Sequence, residues 1–209
     1  VILTDAAVRA VDAQRLLRES AEETFNCVSV DGHTSTNDTV LLLANGAAGG
    51  RPLAGAGLDA FGAALAAACE SLAREIADDG EGATHVLRIE VRGCRNREEA
   101  RTLARSVADS PLVKTAICGA DPNWGRIVSA AGYAGVAFDP ERLVLRVNGT
   151  LLFREGAPVA FDGGAVSASI AASRETLIEL DFGSGPAAIR FYSSDLTAEY
   201  VRLNADYHT

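Results

Sequence analysis

The sequence predicts an α/β or α+β protein, because segments with helical and strand periods alternate along its whole length. The clearest helix has apolar residues at spacings of three and four over residues 58–76, and the clearest strand alternates apolar with charged residues over residues 87–92. A composition with 48% hydrophobic and 22% charged residues is typical of a globular chain and not of a disordered one.

Apolar periodicity and glycine content define the elements of the first half of the chain. They are, in order, a helix over residues 11–25, a strand over 27–30, an acidic and hydroxyl-rich loop over 31–38, a strand over 39–44, an exposed glycine-rich connection over 45–57, and the long helix at 58–76, ended by Gly80.

Cap and turn signals define the second half. Asn96 with Glu99 three residues later is a capping box, Asp121-Pro122 begins a helix that runs to about residue 131, and Asn148-Gly149 is a hairpin turn. The remaining predictions are strands at 87–92 and 112–117, a hairpin joining 143–147 to 151–153, a second hairpin joining 177–182 to 187–192, and a last helix capped by Asp195.

Charge and composition exclude several classes of function. A formal net charge of -9 and a pI near 4.8 oppose binding to nucleic acid or to an anionic membrane surface. No apolar stretch reaches the roughly 20 residues that span a bilayer. Four cysteines without a C-x-x-C pair, together with three histidines, predict no metal site and favour a reducing cytoplasm.

The start of the chain predicts a processed fragment. No methionine occurs in the 209 residues, and the sequence opens on the apolar run Val1-Ile2-Leu3. Such a start is typical of the interior of a longer precursor, although removal of a start methionine before valine would also leave Val1 first. We therefore expect part of the active site to lie on a partner chain.

Two segments around residue 120 carry candidate chemistry. A helix start bearing Asn123, Trp124 and Arg126 would suit a carboxylate or an oxyanion, but the same residues fit a capped helix with Trp124 in the core. Cys118 beside it could be a nucleophile with His33 or His85 as its base, or a buried small hydrophobic residue.

Glu81 lies between two glycines in the turn between the long helix and the strand at 87–92. Small neighbours would let a ligand approach this carboxylate, which could hold an ammonium group, although the residues alone favour a solvated turn acid. The glycine-rich run at 46–50 lacks the G-x-G-x-x-G spacing and an immediate helix, so it does not predict dinucleotide binding.

Five segments in the same order give the chain a resemblance to a known family. They are TDA at residues 4–6, STNDT at 35–39, DGEGAT at 79–84, the stretch 110–127, and the terminal run from Tyr200 to Thr209. On these segments the chain resembles the β subunit of the ArgJ family, the ornithine acetyltransferases or glutamate N-acetyltransferases of arginine biosynthesis. The resemblance implies an α+β layered sandwich of the DmpA/ArgJ type within the α/β class, and a precursor that cleaves itself.

The resemblance also implies where the active site lies. The family cleaves before a threonine in the pattern A-T-M-L-x-x-x-x-T-D-A; Thr4 matches the threonine of T-D-A, so the nucleophile lies just before Val1 and no catalytic residue is on this chain. A threonine and a glycine of the α subunit stabilise the oxyanion. Glu81, Asn204 and Thr209 would bind substrate. His85 stands where the family commonly has lysine, which leaves the role of that position open.

The expected activity is transfer of acetyl from N-acetyl-L-ornithine to L-glutamate through a threonyl acyl-enzyme, without cofactor or metal. Acetyl-CoA stays open as a further acetyl donor. The implied partner is the α chain of the same precursor, in an α2β2 heterotetramer in the cytoplasm.

We expect residues 1–135 to form a domain shared with the α chain and residues 136–209 a smaller α+β subdomain. Two alternatives are an amidase or aminopeptidase with an N-terminal nucleophile, and a non-catalytic structural subunit.

Overall fold

A seven-stranded mixed sheet lies at the centre of the larger of two compact units in the structure, a computed structural model that describes residues 1–207. The larger unit comprises residues 27–33 and the chain from residue 75 onward, and the smaller unit comprises residues 1–26 and 34–74. Helices and strands alternate in both units, which confirms the predicted α/β class. Thr209, predicted to bind substrate, lies outside the described residues.

Strand numbers follow the order of the chain through both units, so the numbers in the large sheet are not consecutive. They are β2 (Val28–Ser29), β4 (Val86–Cys94), β5 (Val144–Val147), β6 (Thr150–Arg154), β7 (Ala157–Pro158), β8 (Glu175–Asp181) and β9 (Ala187–Ser194). In the sheet they lie in the order β2-β9-β4-β8-β5-β6-β7. Strands from both sides of residue 135 pair in this sheet, so the predicted domains 1–135 and 136–209 share it.

Five helices belong to the large unit: α3 (Arg97–Ala108), α4 (Pro111–Cys118), α5 (Trp124–Gly132), α6 (Gly163–Ala171) and α7 (Ala198–Asp206). Helix α3 packs on β4 and β9, where Leu103 and Val107 join Ile89 and Phe191 in the main core. The alternation predicted for β4 is confirmed, because Leu87, Ile89 and Val91 are buried while the intervening charged side chains stay partly exposed.

The small unit contains β1 (Ile2–Thr4), α1 (Ala10–Glu23), β3 (Leu42–Ala44) and most of α2 (Ala56–Asp78). Its core consists of Leu16, Leu65 and Cys69. A Cβ added at Gly62 would lie 2.9 Å from Leu16 Cδ2, so this glycine allows α1 and α2 to approach closely. Helix α2 is long and apolar enough to cross a membrane by length and composition alone, which is a weak indication because core helices of soluble proteins meet the same criteria.

The predicted strand at residues 112–117 is wrong, since these residues form helix α4. Ser110 caps the helix, with its hydroxyl accepting from the Val113 amide at 3.4 Å, and Pro111 occupies the first helical position. A short apolar run fits a buried strand and a buried helix equally. The Ser-Pro pair was the signal that distinguished them.

The hairpin predicted between residues 177–182 and 187–192 is also wrong. Both segments are strands, β8 and β9, but β4 lies between them, parallel to β8 and antiparallel to β9. The Asn148-Gly149 hairpin is confirmed: both residues have positive φ and join β5 to β6.

Two predicted helix caps each lie two residues before the observed one. Helix α5 is capped by Asn123 and not by Asp121, and helix α7 is capped by Thr197 and not by Asp195. The cap predicted at Asn96 is confirmed, because its side chain accepts from the Glu99 amide at 2.9 Å. The Glu99 carboxylate accepts from the Arg95 amide, one residue before the position expected for a reciprocal capping box.

Candidate active site

The turn that carries Glu81 lies against the start of helix α7. It connects the end of α2 to β4, and Gly82 within it has φ of 66°. A Cβ added at Gly82 would lie 2.7 Å from the backbone nitrogen of Tyr200. Only glycine allows both this backbone conformation and this approach. The local sequence therefore brings the Glu81 turn into contact with the helix that bears Asn204.

Glu81 and Asn204, the two described residues that the resemblance assigned to substrate binding, are in direct contact. The Asn204 side-chain nitrogen Nδ2 donates to Glu81 Oε2 at 2.7 Å and to the Tyr200 carbonyl at 3.0 Å. Both hydrogens of the amide are thereby engaged, which leaves its oxygen Oδ1 as the atom that can accept from a ligand. Both side chains are exposed.

The surroundings of this pair are acidic. The Tyr200 hydroxyl lies 3.4 Å from Asp31 Oδ2, within the same unit. Burial, and then the negative charges of Asp31 and Glu81, raise the pKa of Tyr200, so its phenol stays protonated at neutral pH. A carboxylate beside a free amide oxygen, with further negative charge nearby, favours a ligand that presents an ammonium group.

Asp195, which the sequence predicted only as a helix cap, is a buried carboxylate that binds the end of the Glu81 turn. Asp195 Oδ1 accepts from the amides of Thr84 at 2.8 Å and His85 at 3.0 Å, and Oδ2 accepts from the Thr84 hydroxyl at 2.5 Å. The side chain of Asp195 has no exposed surface. Burial alone would raise the pKa of this carboxyl, but the hydrogen bonds from Thr84 and His85 outweigh it and lower the pKa. Asp195 is therefore an anion at neutral pH.

His85, the position whose role the resemblance left open, faces the same carboxylate. Its Nδ1 atom lies 3.0 Å from Thr84 Oγ1 and 3.3 Å from Asp195 Oδ2. Since the Thr84 hydroxyl donates to Asp195, hydrogen-bond satisfaction assigns the ring hydrogen to Nδ1. His85 thus adds a donor to the set that stabilises the Asp195 carboxylate.

The nucleophile hypothesis for Cys118 is not favoured by its surroundings. Cys118 is the last residue of helix α4, where the partial negative charge of the helix end disfavours a thiolate. Burial, followed by the charge of Asp195, raises the pKa of the thiol, which also contacts Thr84. The alternative of a fully buried hydrophobic residue is not met either, because Cys118 is only partly buried.

The helix start at residues 123–126 is occupied by structural contacts. Asn123 Oδ1 accepts from the Arg126 amide at 3.1 Å, and Arg126 donates to the Leu112 carbonyl at 3.0 Å. Trp124 stacks on Phe153 with ring centroids 5.6 Å apart. Asp121 accepts from the Asn123 side chain at 3.0 Å and places a negative charge where an anion would bind. These contacts favour the capped-helix interpretation over an oxyanion site.

The glycine-rich run at 46–50 forms a loop between β3 and α2, with its residues mostly exposed. Among residues 1–207, no group of three or more histidine, cysteine or acidic side chains is arranged to hold a metal ion.

Comparison with known proteins identifies the family. The model of the ArgJ family matches residues 1–209. The chain is 45% identical over 212 residues to the arginine biosynthesis bifunctional protein ArgJ of Rhodopirellula baltica, covering all of this chain and 52% of that protein. It is 43% identical over 211 residues to the glutamate N-acetyltransferase of Methanopyrus kandleri, covering all of this chain and 54% of that protein.

A solved structure shares the fold. The crystal structure of the arginine biosynthesis bifunctional protein ArgJ from Bacillus halodurans superposes with a TM-score of 0.95 at 38% identity, covering 99% of this chain and 98% of that chain. This match confirms the fold that the resemblance implied. The chain spans about half the length of the curated relatives it matches. With a family model matched from its first residue to its last, the chain belongs to the ArgJ family.

Proposed function

We propose that this chain is the β chain of an acetyltransferase that moves acetyl from N-acetyl-L-ornithine to L-glutamate in arginine biosynthesis. The observation that carries the proposal is the match over the whole chain to relatives named arginine biosynthesis bifunctional protein ArgJ and glutamate N-acetyltransferase. The contact between Glu81 and Asn204 agrees with the proposal, because both substrates are amino acids that present charged amine and carboxylate groups.

The proposed role of the pair is to hold the amine end of a substrate. The Glu81 carboxylate would pair with the side-chain ammonium of ornithine, and Asn204 Oδ1 would accept a second hydrogen from the same group. Thr209 is proposed as a third binding residue. A charge-assisted contact of this kind contributes roughly 1.5–3 kcal/mol, enough to change substrate affinity by tenfold or more.

The reaction needs a nucleophile, which we place just before Val1, at the start of the complete β chain. In the proposal, a threonine just before Val1 takes acetyl from N-acetylornithine, releases ornithine, and passes the acetyl group to the amine of glutamate. The oxyanion donors belong to the α chain. No cofactor is needed, and acetyl-CoA stays open as a second donor. We place the enzyme in the cytoplasm.

The two-stranded sheet of the small unit supports the proposal of a partner chain. Strands β1 and β3 form a parallel pair of only two strands, with Leu3 73% and Leu43 55% exposed. Parallel sheets are normally covered on both faces, so this pair is incomplete by itself. We propose that the α chain of the same precursor covers it, in an α2β2 assembly.

The test is the intact mass of both chains of the full-length protein, before and after exposure to N-acetyl-L-ornithine without glutamate. A gain of one acetyl group on the β chain, reversed by adding L-glutamate, supports the covalent mechanism. A processed protein that releases free acetate and forms no N-acetylglutamate would point instead to a hydrolase.

A further inference from the structure

Two side chains in the segment between β9 and α7, Asp195 and Thr197, form hydrogen bonds to the turn that carries Glu81. Asp195 accepts from two consecutive amides of the turn, Thr84 and His85, and its own amide donates to the His85 carbonyl at 3.0 Å. A single buried carboxylate therefore fixes the backbone at the point where the turn enters β4.

Thr197 makes the second attachment. Its hydroxyl donates to the Gly82 carbonyl at 2.8 Å and accepts from the Tyr200 amide at 3.1 Å. One oxygen thus caps helix α7 and binds the residue next to Glu81. The close approach of Gly82 to the Tyr200 backbone completes the contact.

These attachments determine the separation of the binding pair. Asn204 lies seven residues after Thr197 on helix α7, about 10 Å along the helix axis. The Glu81–Asn204 hydrogen bond is 2.7 Å long, so a shift of about 1 Å between turn and helix would break it. Both residues of the pair are exposed, so we expect its geometry to depend on the buried contacts that join the turn to the start of α7.

We propose that Asp195 and Thr197 are positioning residues that set the distance between Glu81 and Asn204 and thereby the affinity for the amino-acid substrate. The inference rests on the proposed acetyl transfer and specifies how its binding site is held. Neither residue contacts the substrate in this proposal; each acts through the turn.

The competing interpretation is that these contacts only stabilise the fold, and kinetic constants distinguish the two. Asp195→Asn keeps the size of the side chain but replaces the acceptor Oδ2 with a donor facing Thr84 and His85. Thr197→Val removes both hydrogen bonds of the hydroxyl, and Thr197→Ser retains them. The matched control is Asn96→Ala, which removes the cap of α3 at the other end of β4, roughly 25 Å away by strand rise.

The experiment uses the full-length enzyme. KM and kcat are measured for N-acetyl-L-ornithine and L-glutamate separately, with Tm for each variant and the Kd of L-ornithine by calorimetry. We expect Asp195→Asn and Thr197→Val to raise KM for at least one substrate and the Kd of L-ornithine by about tenfold. Thr197→Ser should return both to within about twofold of the parent, and Asn96→Ala should lower Tm without changing either constant.

The inference is overturned if Thr197→Val lowers Tm, as Asn96→Ala does, while KM and Kd stay within about twofold of the parent. The same result for Asp195→Asn, where that variant folds, also overturns it. The proposed function fails separately. If the parent enzyme binds L-ornithine but transfers no acetyl, the Kd values still decide the positioning role. A parent that neither binds L-ornithine nor transfers acetyl contradicts both proposals.

Discussion

The side-chain amide of Asn204 donates to the Glu81 carboxylate at 2.7 Å, although 123 positions separate the two residues in the chain. The contact joins the turn that precedes β4 to helix α7. It leaves Asn204 Oδ1 close to the negative charge of Glu81, so that in the proposed function both groups can contact one ligand.

Glu81→Gln should raise KM for N-acetyl-L-ornithine by about 10- to 100-fold, because it removes the negative charge that pairs with the side-chain ammonium and keeps the shape of the side chain. Asn204→Ala should raise it by about tenfold, and the double variant should lose less than the product of the two effects, since the residues share a contact. Steady-state kinetics of the full-length enzyme measures all three. Unchanged turnover in both single variants would favour a non-catalytic structural subunit.

Gly82→Ala should destabilise the protein more than Gly149→Ala, although both glycines have positive φ. At Gly149 a Cβ meets open space, so the variant should lose only about 1 kcal/mol from backbone strain. At Gly82 the Cβ would also meet the Tyr200 amide at 2.7 Å, which should bring the loss to more than about 2 kcal/mol. Urea unfolding measures both. Equal losses would show that the approach of the turn to α7 is loose.

Lys114 should make stability rise with pH in alkaline solution. Burial lowers the pKa of this lysine to about 8, against the opposing charges of Asp109, Asp195 and Asp31. Between pH 8 and 10 the unfolded chain retains a proton that the folded chain has lost, so raising the pH favours folding. Well below pH 8 both states are protonated and this slope vanishes.

The variant Lys114→Met isolates this contribution. In the variant the hydrogen bonds from the lysine ammonium to the Val30 carbonyl and the Ser193 hydroxyl are lost at every pH. Only the loss of the lysine titration makes the difference between parent and variant depend on pH. The free energy of unfolding of the parent minus that of the variant should rise by about 2 kcal/mol from pH 8 to pH 10. A difference that stays constant over this range would show that Lys114 is charged throughout.

The cysteines should react slowly in the folded protein. Cys27, Cys69 and Cys94 are buried, and burial raises the pKa of Cys94 to about 11. Cys118 is partly exposed but its pKa is also raised, so thiol labelling at pH 7 should be slow and should reach Cys118 first. Cys118→Ala should keep kcat within about twofold. Rapid alkylation of Cys118 with loss of activity would restore the nucleophile hypothesis.

Local signals predicted the elements whose causes are local. Asn148-Gly149 specified a hairpin because both positions need positive φ, and Asn96 specified the start of α3. The arrangement of β8 and β9 was not determined locally, because β4, which comes much earlier in the chain, lies between them and pairs with both. Nothing in the two segments themselves distinguishes a hairpin from two strands separated by a third.

The candidate site was predictable only in part for the same reason. The resemblance named Glu81 and Asn204, but their contact depends on how the Glu81 turn and α7 pack. Asp195 was interpreted as a helix cap because an acidic residue before a helical pattern is typical of one. Its burial beneath the Thr84 and His85 amides follows from the end of β9 and could not be read from its neighbours in sequence.

Product analysis tests the central claim most directly. The full-length protein is incubated with N-acetyl-L-ornithine and L-glutamate, and N-acetyl-L-glutamate, L-ornithine and free acetate are quantified over time. The account predicts that N-acetyl-L-glutamate and L-ornithine form in equal amounts with little acetate, and that Glu81→Gln slows their formation. Release of acetate without N-acetyl-L-glutamate, or no consumption of N-acetyl-L-ornithine, would contradict it.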